Sequence, residues 1–224
     1  MPNITAFRTA LLTFYAVLIS SLYLAWQPTM SVPAYGFLLA AAIVQSLILS
    51  SPVLILYGIQ QYLEKRGLRN QWLVYLMQVV CIAIIVFMFA NYKLRDMYGF
   101  YVNFFVVNLL ITPGGVEAMG VSASTNRTLA MAVVVLAGLV WAALRYIPFE
   151  RLFPNRLKRR YMWSGAVVLL LFQSGWYALS EYNYDRMILG TAGRIVWYIP
   201  VTARSIFENL GVTINRPDGA EFDI

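Results

Sequence analysis

The residues best able to do chemistry lie in the last part of the chain, where arginines alternate with aromatic side chains. Arg186, Arg194 and Arg204 recur within residues 180–224. A guanidinium fork donates two parallel hydrogen bonds to a phosphate. Thr202 is suited to cap a helix ahead of Arg204, and the free N–H groups of that helix would favour an anion at the same place. We therefore predict a lipid-phosphate site at Arg186, Arg194, Thr202 and Arg204. The alternative interpretation is an ordinary aromatic belt with solvated arginines.

A second segment has the composition of a membrane interface. Residues 98–111 read YGFYVNFFVVNLLI, and the turn formers TPGG follow them. The segment is shorter than the ~20 apolar residues that a span needs. Its two asparagines do not share one helical face, so we predict an interfacial or partly re-entrant helix. The side chains predicted to lie at an interface are Tyr98, Tyr101, Asn103, Asn108, Trp197 and Tyr198.

Several chemistries are excluded by what the chain lacks. It contains no histidine and a single cysteine, Cys81, which stands in an apolar run. Without histidine there is no Ser–His or Cys–His pair, and the commonest metal ligand is missing. No ionisable residue stands at the centre of a span, which disfavours an ion-coupled carrier. We predict no catalytic residues, no metal site and no cofactor in this chain.

Apolar runs separated by polar loops predict an all-α membrane protein with five transmembrane helices. With 60% hydrophobic residues and 12% charged ones, the chain is too apolar for a soluble domain of 224 residues. The predicted spans are residues 6–26, 34–62, 72–90, 128–146 and 161–179, which together form a domain over residues 1–179. Residues 180–224 are predicted to be a periplasmic juxtamembrane linker, helical only near residues 201–210. Within the second span, Gln45, Ser46 and Ser50 are predicted to form helix–helix hydrogen bonds, and Pro52 is predicted to kink or tilt the helix.

Charge counting predicts the orientation. With the N-terminus inside, ten basic and two acidic residues fall on the inner side, and seven basic and eight acidic ones fall outside. This distribution satisfies the positive-inside rule and leaves the C-terminus outside. The net charge of +7 is thereby explained without a nucleic-acid partner.

Two motifs resemble a known family. The segment LLITPGG and the later YIPVTARSIFENLG, placed around five spans, resemble the N-terminal membrane domains of the sulfatase-like proteins of the alkaline phosphatase superfamily. That group includes lipoteichoic acid synthase, the phosphoethanolamine transferases and, closest in pattern, the PbgA (YejM)-like proteins. Their fifth span leads into a proline-preceded motif, T-A-R-R-F-L-E-K-x-G. The residues that fit this motif, with a small offset after the arginine, are Pro200, Thr202, Ala203, Arg204, Phe207, Glu208 and Gly211. Ser205 stands where the family has a second arginine.

The resemblance implies that Thr202 and Arg204 contact a lipid A phosphate at the periplasmic leaflet, while the spans contact partner proteins. Family members continue into a periplasmic hydrolase-like domain with a threonine nucleophile and metal-binding Asp and His residues. This chain is expected to be either a piece of such a protein or a stand-alone membrane subunit, and in both cases not to transfer phosphoryl groups itself.

The expected function is that of a membrane domain in the bacterial inner membrane. It would bind lipopolysaccharide, lipid A or a phospholipid headgroup for envelope lipid modification or sensing. The alternative is a non-catalytic polytopic subunit that scaffolds a protein assembly. The expected partners are membrane lipids and other inner-membrane proteins.

Overall fold

A computed structural model describes residues 4–68, 70–112, 123–147 and 159–198 of the chain. Every regular element within those residues is an α-helix, which confirms the all-α prediction. In chain order the helices are α1 (Ile4–Ala25), α2 (Val32–Lys65), α3 (Gln71–Tyr98), α4 (Phe104–Ile111), α5 (Ala123–Tyr146), α6 (Arg159–Tyr182) and α7 (Arg186–Ala192).

Among the described residues, four helices have the length and composition of membrane-spanning segments. They are α1, α2, α3 and, over Arg127–Tyr146, α5. These helices support the transmembrane character predicted from the sequence. The predicted fifth span, residues 161–179, lies within α6, which has 24 residues but is not one of the four. The count of five spans and their orientation remain predictions.

Local side chains and backbone geometry determine where the long helices begin and end. The side chain of Asn70 accepts a hydrogen bond from the Trp72 N–H and caps the start of α3. Gly67 and Gly99 follow α2 and α3 with φ angles of 76° and 77°, which are left-handed conformations that glycine adopts without strain. Helix α2 is continuous through Pro52, whose missing N–H removes one bond of the helix.

Two predicted boundaries need correction. The interfacial helix does not begin at residue 98, because α3 continues beyond residue 90 to Tyr98 and Gly99 then ends it. The helix observed in this segment, α4, begins at Phe104. The Asn103 side chain caps it by accepting a hydrogen bond from the Val106 N–H at 3.0 Å. Residues 180–198 are also not simply a polar linker, because they contain α7, which we did not predict.

The chain divides into two compact units, and the division falls inside α1 and α2. The first unit comprises Met1–Ser20 and Ser46–Arg156. Its core contains small residues of α1 and larger ones of α3, and α3 also packs against α5. Cys81, Met77 and Val53 are fully buried in this core. Because Cys81 has no second cysteine in the chain, it serves as a small apolar core residue here.

The second unit comprises Ser21–Gln45 and Leu157–Ile224. Its core joins the first part of α2 to α7 and the residues that follow α7. Phe37 is completely buried at the centre, and Ile188, Ala192 and Ile195 pack in the same cluster. This second unit contains most of the candidate site described next.

Candidate functional site

The turn between α6 and α7 presents an arginine to the surroundings. Asp185 caps α7 by accepting from the N–H groups of Met187 and Ile188 at 3.0 and 3.3 Å. Arg186 directly follows this cap and is exposed, with its guanidinium 5.4 Å from the centre of the Tyr184 ring. Tyr184 itself has a left-handed φ of 53°. The turn therefore holds the Arg186 guanidinium against the face of the Tyr184 ring, and the side of the guanidinium away from the ring is exposed.

A shallow apolar groove runs along α6 toward this turn. It is lined by Leu171, Phe172, Gly175, Trp176 and Leu179 and has a volume of about 470 Å³. The groove is open at Gly175, where a Cβ atom built on the backbone would meet nothing within 4 Å. Phe172 and Trp176 form one wall, edge to face, with ring centres 5.3 Å apart. We call these five residues the α6 groove. Its size and apolar surface suit a hydrocarbon chain rather than a polar metabolite.

The chain after α7 folds back against α2. Ile195 and Val196 are buried, and the side-chain amide of Gln45 donates to the backbone carbonyls of Val196 and Trp197 at 2.9 and 3.0 Å. Trp197 has a left-handed φ of 54°, which is unusual for a large side chain. The N–H groups of Arg194, Ile195 and Tyr198 bond to carbonyls three residues earlier in the chain. A buried glutamine of α2 supplies donors for the two carbonyls at Val196 and Trp197.

Tyr198 joins the same stretch to α6. Its hydroxyl donates to the Gln173 side-chain oxygen at 2.8 Å. This hydrogen bond links the stretch after α7 to a buried polar residue of α6.

Four aromatic rings enclose the middle of the second unit. Phe37 lies 6.2 Å from Trp176, 6.5 Å from Tyr177 and 6.0 Å from Tyr198, measured between ring centres. Gly36 allows this approach, since a Cβ atom built there would lie 3.1 Å from the Trp176 ring. We call Phe37, Trp176, Tyr177 and Tyr198 the aromatic cluster. Trp176 belongs to both the cluster and the α6 groove.

The end of α3 in the first unit forms a separate polar group. Asn91 is fully buried, donates to the Phe87 carbonyl and accepts from the Val102 N–H, both at 2.9 Å. Arg95 donates to the Tyr101 hydroxyl and lies over the Tyr101 ring. Lys93 is the nearest other cation in sequence, and its ion pair with Asp96 is loose at 3.9 Å. These contacts hold the loop that leads from α3 into α4.

Helix α4 exposes most of its apolar surface. The exposed fractions are 87% for Phe104, 61% for Phe105 and 77% for Ile111, whereas Val106 is buried. A helix of 8 residues cannot cross a membrane, and one with this much exposed apolar surface is unsuited to water. The interfacial or partly re-entrant position of this segment stays a prediction.

The predicted site residues fall in different places. Arg204 and Thr202 lie outside the described residues. Arg186 is exposed at the start of α7, and Arg194 is half-buried just after it. The Trp197 carbonyl accepts from the Gln45 amide, while the Trp197 side chain is 52% exposed. The Tyr198 hydroxyl donates to the Gln173 side-chain oxygen. Of the remaining predicted interfacial residues, Tyr101 binds Arg95, Tyr98 stacks on Phe100, Asn103 caps α4, and Asn108 is exposed. Lys93 and Arg95 belong to the first unit, whereas Arg186 and Arg194 belong to the second.

Sequence reasoning missed the partners that hold the second unit together. Gln45 was expected to bond another helix, but its partners are carbonyls of a non-helical stretch. Gln173 was not singled out, although it is a buried polar residue within an apolar helix. That combination was a usable signal, because a polar side chain in such a helix must find a hydrogen-bond partner.

No family model matches this chain, and no curated protein matches it either. Within the described ranges, no group of three or more His, Cys, Asp or Glu residues is placed to hold a metal ion. The class of protein that the fold defines is an all-helical one with transmembrane character.

Proposed function

We propose that this chain is a multi-pass domain of a bacterial inner membrane that binds a phosphorylated lipid at the outer leaflet. The lipid would be a lipopolysaccharide, lipid A or phospholipid, and the domain would serve envelope lipid modification or sensing, as in the sulfatase-like proteins that its motifs resemble. The proposal places five spans in the membrane, with the N-terminus inside and the turn between α6 and α7 outside.

The observation that carries the proposal is the α6 groove together with the turn at its end. The groove offers a hydrocarbon chain an apolar path beside Gly175. The turn that follows α6 offers an exposed guanidinium at Arg186 to an anionic headgroup. A phospholipid combines these two features, a hydrocarbon chain and a phosphate, in one molecule. The predicted contacts at Thr202 and Arg204 would add to the headgroup site.

Lipid retention tests the proposal directly. The chain, purified in mild detergent, is incubated with an anionic phospholipid and examined by native mass spectrometry. Gly175→Leu fills the groove, and we expect it to lower the bound fraction at least about threefold through lost acyl-chain contacts. Arg186→Ala removes a charge-assisted contact at an exposed site, which we expect to weaken binding about three- to tenfold. Arg186→Lys should restore only part of the loss, because the fork is missing.

Gly165→Leu is the matched control for the groove. Gly165 lies on the same helix and also has open space at its Cβ position, but it does not line the groove. This variant should retain lipid like the native chain. If Gly175→Leu and Arg186→Ala both retain lipid as Gly165→Leu does, the α6 groove is not a lipid site and the proposal fails.

Topology provides a second test. Reporter fusions after Gln71 and Arg160 should be active only as cytoplasmic reporters, and fusions after Thr112 and Gly211 only as exported ones, because the basic loops stay inside. Paired reporters that are active on opposite sides of the membrane make the measurement self-controlled. A cytoplasmic position for the fusion after Gly211 would exclude the five-span arrangement.

A second candidate function is that of a scaffold subunit, for which the surface of α5 offers a docking face. This helix leaves Met131, Val134 and Leu139 more than 60% exposed. In a membrane either lipid tails or another protein helix would cover these residues. Cysteine cross-linking at Val134 in native membranes distinguishes the two, since a scaffold gives one discrete adduct and a lipid-covered face gives none.

A further inference from the structure

A non-helical stretch of backbone within a membrane requires hydrogen-bond partners from the protein. Lipid tails offer none, so irregular backbone at membrane depth occurs only where protein or a water-filled cavity surrounds it. Residues 193–198, which follow α7, form such a stretch, and Ile195 and Val196 within it are 2% and 0% exposed. Protein therefore encloses the stretch at Ile195 and Val196, whereas the Trp197 side chain is 52% exposed.

The depth of this stretch follows from its partner on α2. Gln45 lies 13 residues after the start of α2 at Val32, or about 20 Å along the helix axis. No charged residue occurs in α2 before Glu64, so Gln45 stands well inside the apolar run. The carbonyls of Val196 and Trp197 accept from Gln45 and therefore lie at the same depth. The chain leaves α6 at Tyr182 and returns along the first half of α2.

Two side-chain amides hold the returning stretch. Gln45 is 4% exposed and donates to two consecutive carbonyls. Gln173 of α6 is also 4% exposed and accepts from the Tyr198 hydroxyl. Between these contacts, Trp197 keeps a left-handed φ of 54°. A strained backbone angle in a large residue persists only where its surroundings hold it, and these bonds supply the constraint.

We propose that residues 193–198 form a re-entrant strap that Gln45 and Gln173 latch inside the membrane region of the second unit. The latches hold the backbone of this strap in place as far as Tyr198. Loss of the Gln45 bonds would free both carbonyls and relieve the strain at Trp197, so the strap would open. This inference concerns the fold of the segment and does not depend on lipid binding at the α6 groove.

Cysteine accessibility measures whether the strap is closed. The full chain carries Cys81→Ala, which removes the single native cysteine, and one new cysteine at either Val196 or Met187. Met187 is 43% exposed and reports the open surface, whereas Val196 is fully buried. In native membranes with a water-soluble maleimide, Val196→Cys should react at least about tenfold more slowly than Met187→Cys, because reaction requires local opening.

Removing the latch should raise the reactivity of the buried position. Adding Gln45→Leu should speed labelling of Val196→Cys about tenfold, the effect expected for two hydrogen bonds lost in a membrane protein. Tyr198→Phe removes only the bond to Gln173 and should speed it about threefold. Gln78→Leu on α3 is the control, because it makes the same substitution at a glutamine of the first unit, and it should leave the rate unchanged.

Three results would overturn the inference. Equal labelling of Val196→Cys and Met187→Cys would show that the protein does not enclose position 196. An unchanged rate in Gln45→Leu would show that this side chain is not a latch. If Gln45→Leu gives no monodisperse protein on size exclusion, the Tyr198→Phe variant decides. It keeps the aromatic ring, and an unchanged labelling rate in it would reject the latched strap.

Discussion

Phe37→Ala is expected to lower the free energy of unfolding by about 3–5 kcal/mol, the largest effect that we expect from one side chain in this protein. Phe37 is completely buried and contacts the other three rings of the aromatic cluster. Its removal leaves a cavity that shifts of α2, α6 and the strap cannot fill completely. In a membrane this loss is mainly one of packing contacts, because lipid tails are as apolar as the core.

The measurement is unfolding of the purified chain by sodium dodecyl sulfate in mixed micelles, followed by circular dichroism. Phe172→Ala is the matched control, since Phe172 is 54% exposed and lies on the surface of α6. Its expected cost is below about 1 kcal/mol. Equal costs for the two alanine variants would mean that the aromatic cluster does not organise the second unit.

Asn91→Ala is expected to cost about 2–3 kcal/mol and to loosen the loop between α3 and α4. Asn91 is fully buried and makes one hydrogen bond to its own helix and one to the Val102 N–H. Removing the side chain takes an acceptor from a backbone N–H and leaves a small void. Because Val102 immediately precedes the Asn103 cap, we expect the start of α4 to become more mobile.

The same unfolding titration gives the stability of this variant, and limited proteolysis reports on the loop. Cleavage within residues 99–103 should become faster in Asn91→Ala. Asn108→Ala serves as control, because Asn108 is exposed on α4 and its side chain makes no bond within the described hydrogen-bond network. We expect a change within about 0.5 kcal/mol and no new cleavage there. A loop that resists protease equally in both variants would contradict the role given to Asn91.

The interfacial segment illustrates how far pattern alone reaches. Aromatic composition and length were enough to separate Phe104–Ile111 from the long helices, because both follow from local sequence. The starting residue was wrong, because it depended on Gly99 adopting a left-handed angle and on Asn103 turning its side chain toward the Val106 N–H. An asparagine in an apolar run is compatible with a cap, a buried bridge or an exposed position. Asn103, Asn91 and Asn108 take these three roles in turn.

The charged residues show what sequence pattern alone does not predict. Residue type marked Arg186 as a candidate for an anion site, and Arg186 is exposed beside Tyr184, but its binding of an anion stays a prediction. Residue type alone did not show that Arg95 donates to the Tyr101 hydroxyl. Charge spacing along a chain does not reveal which cations come together, because the contacts that decide it join residues far apart in sequence.

By itself, the sequence determined the class of protein and the approximate extent of its long helices. Those properties depend on mean hydropathy and on runs of about 20 apolar residues, which are sums over local composition. Only the tertiary structure decided that the segment after α6 turns back along α2. That choice depends on hydrogen bonds from Gln45 to carbonyls 151 and 152 residues later in the chain. It also depends on the packing of Phe37 against three aromatic rings of α6 and the strap. Mean hydropathy does not show which residues pair, because a buried glutamine lowers it by the same amount whichever group accepts its hydrogen bonds.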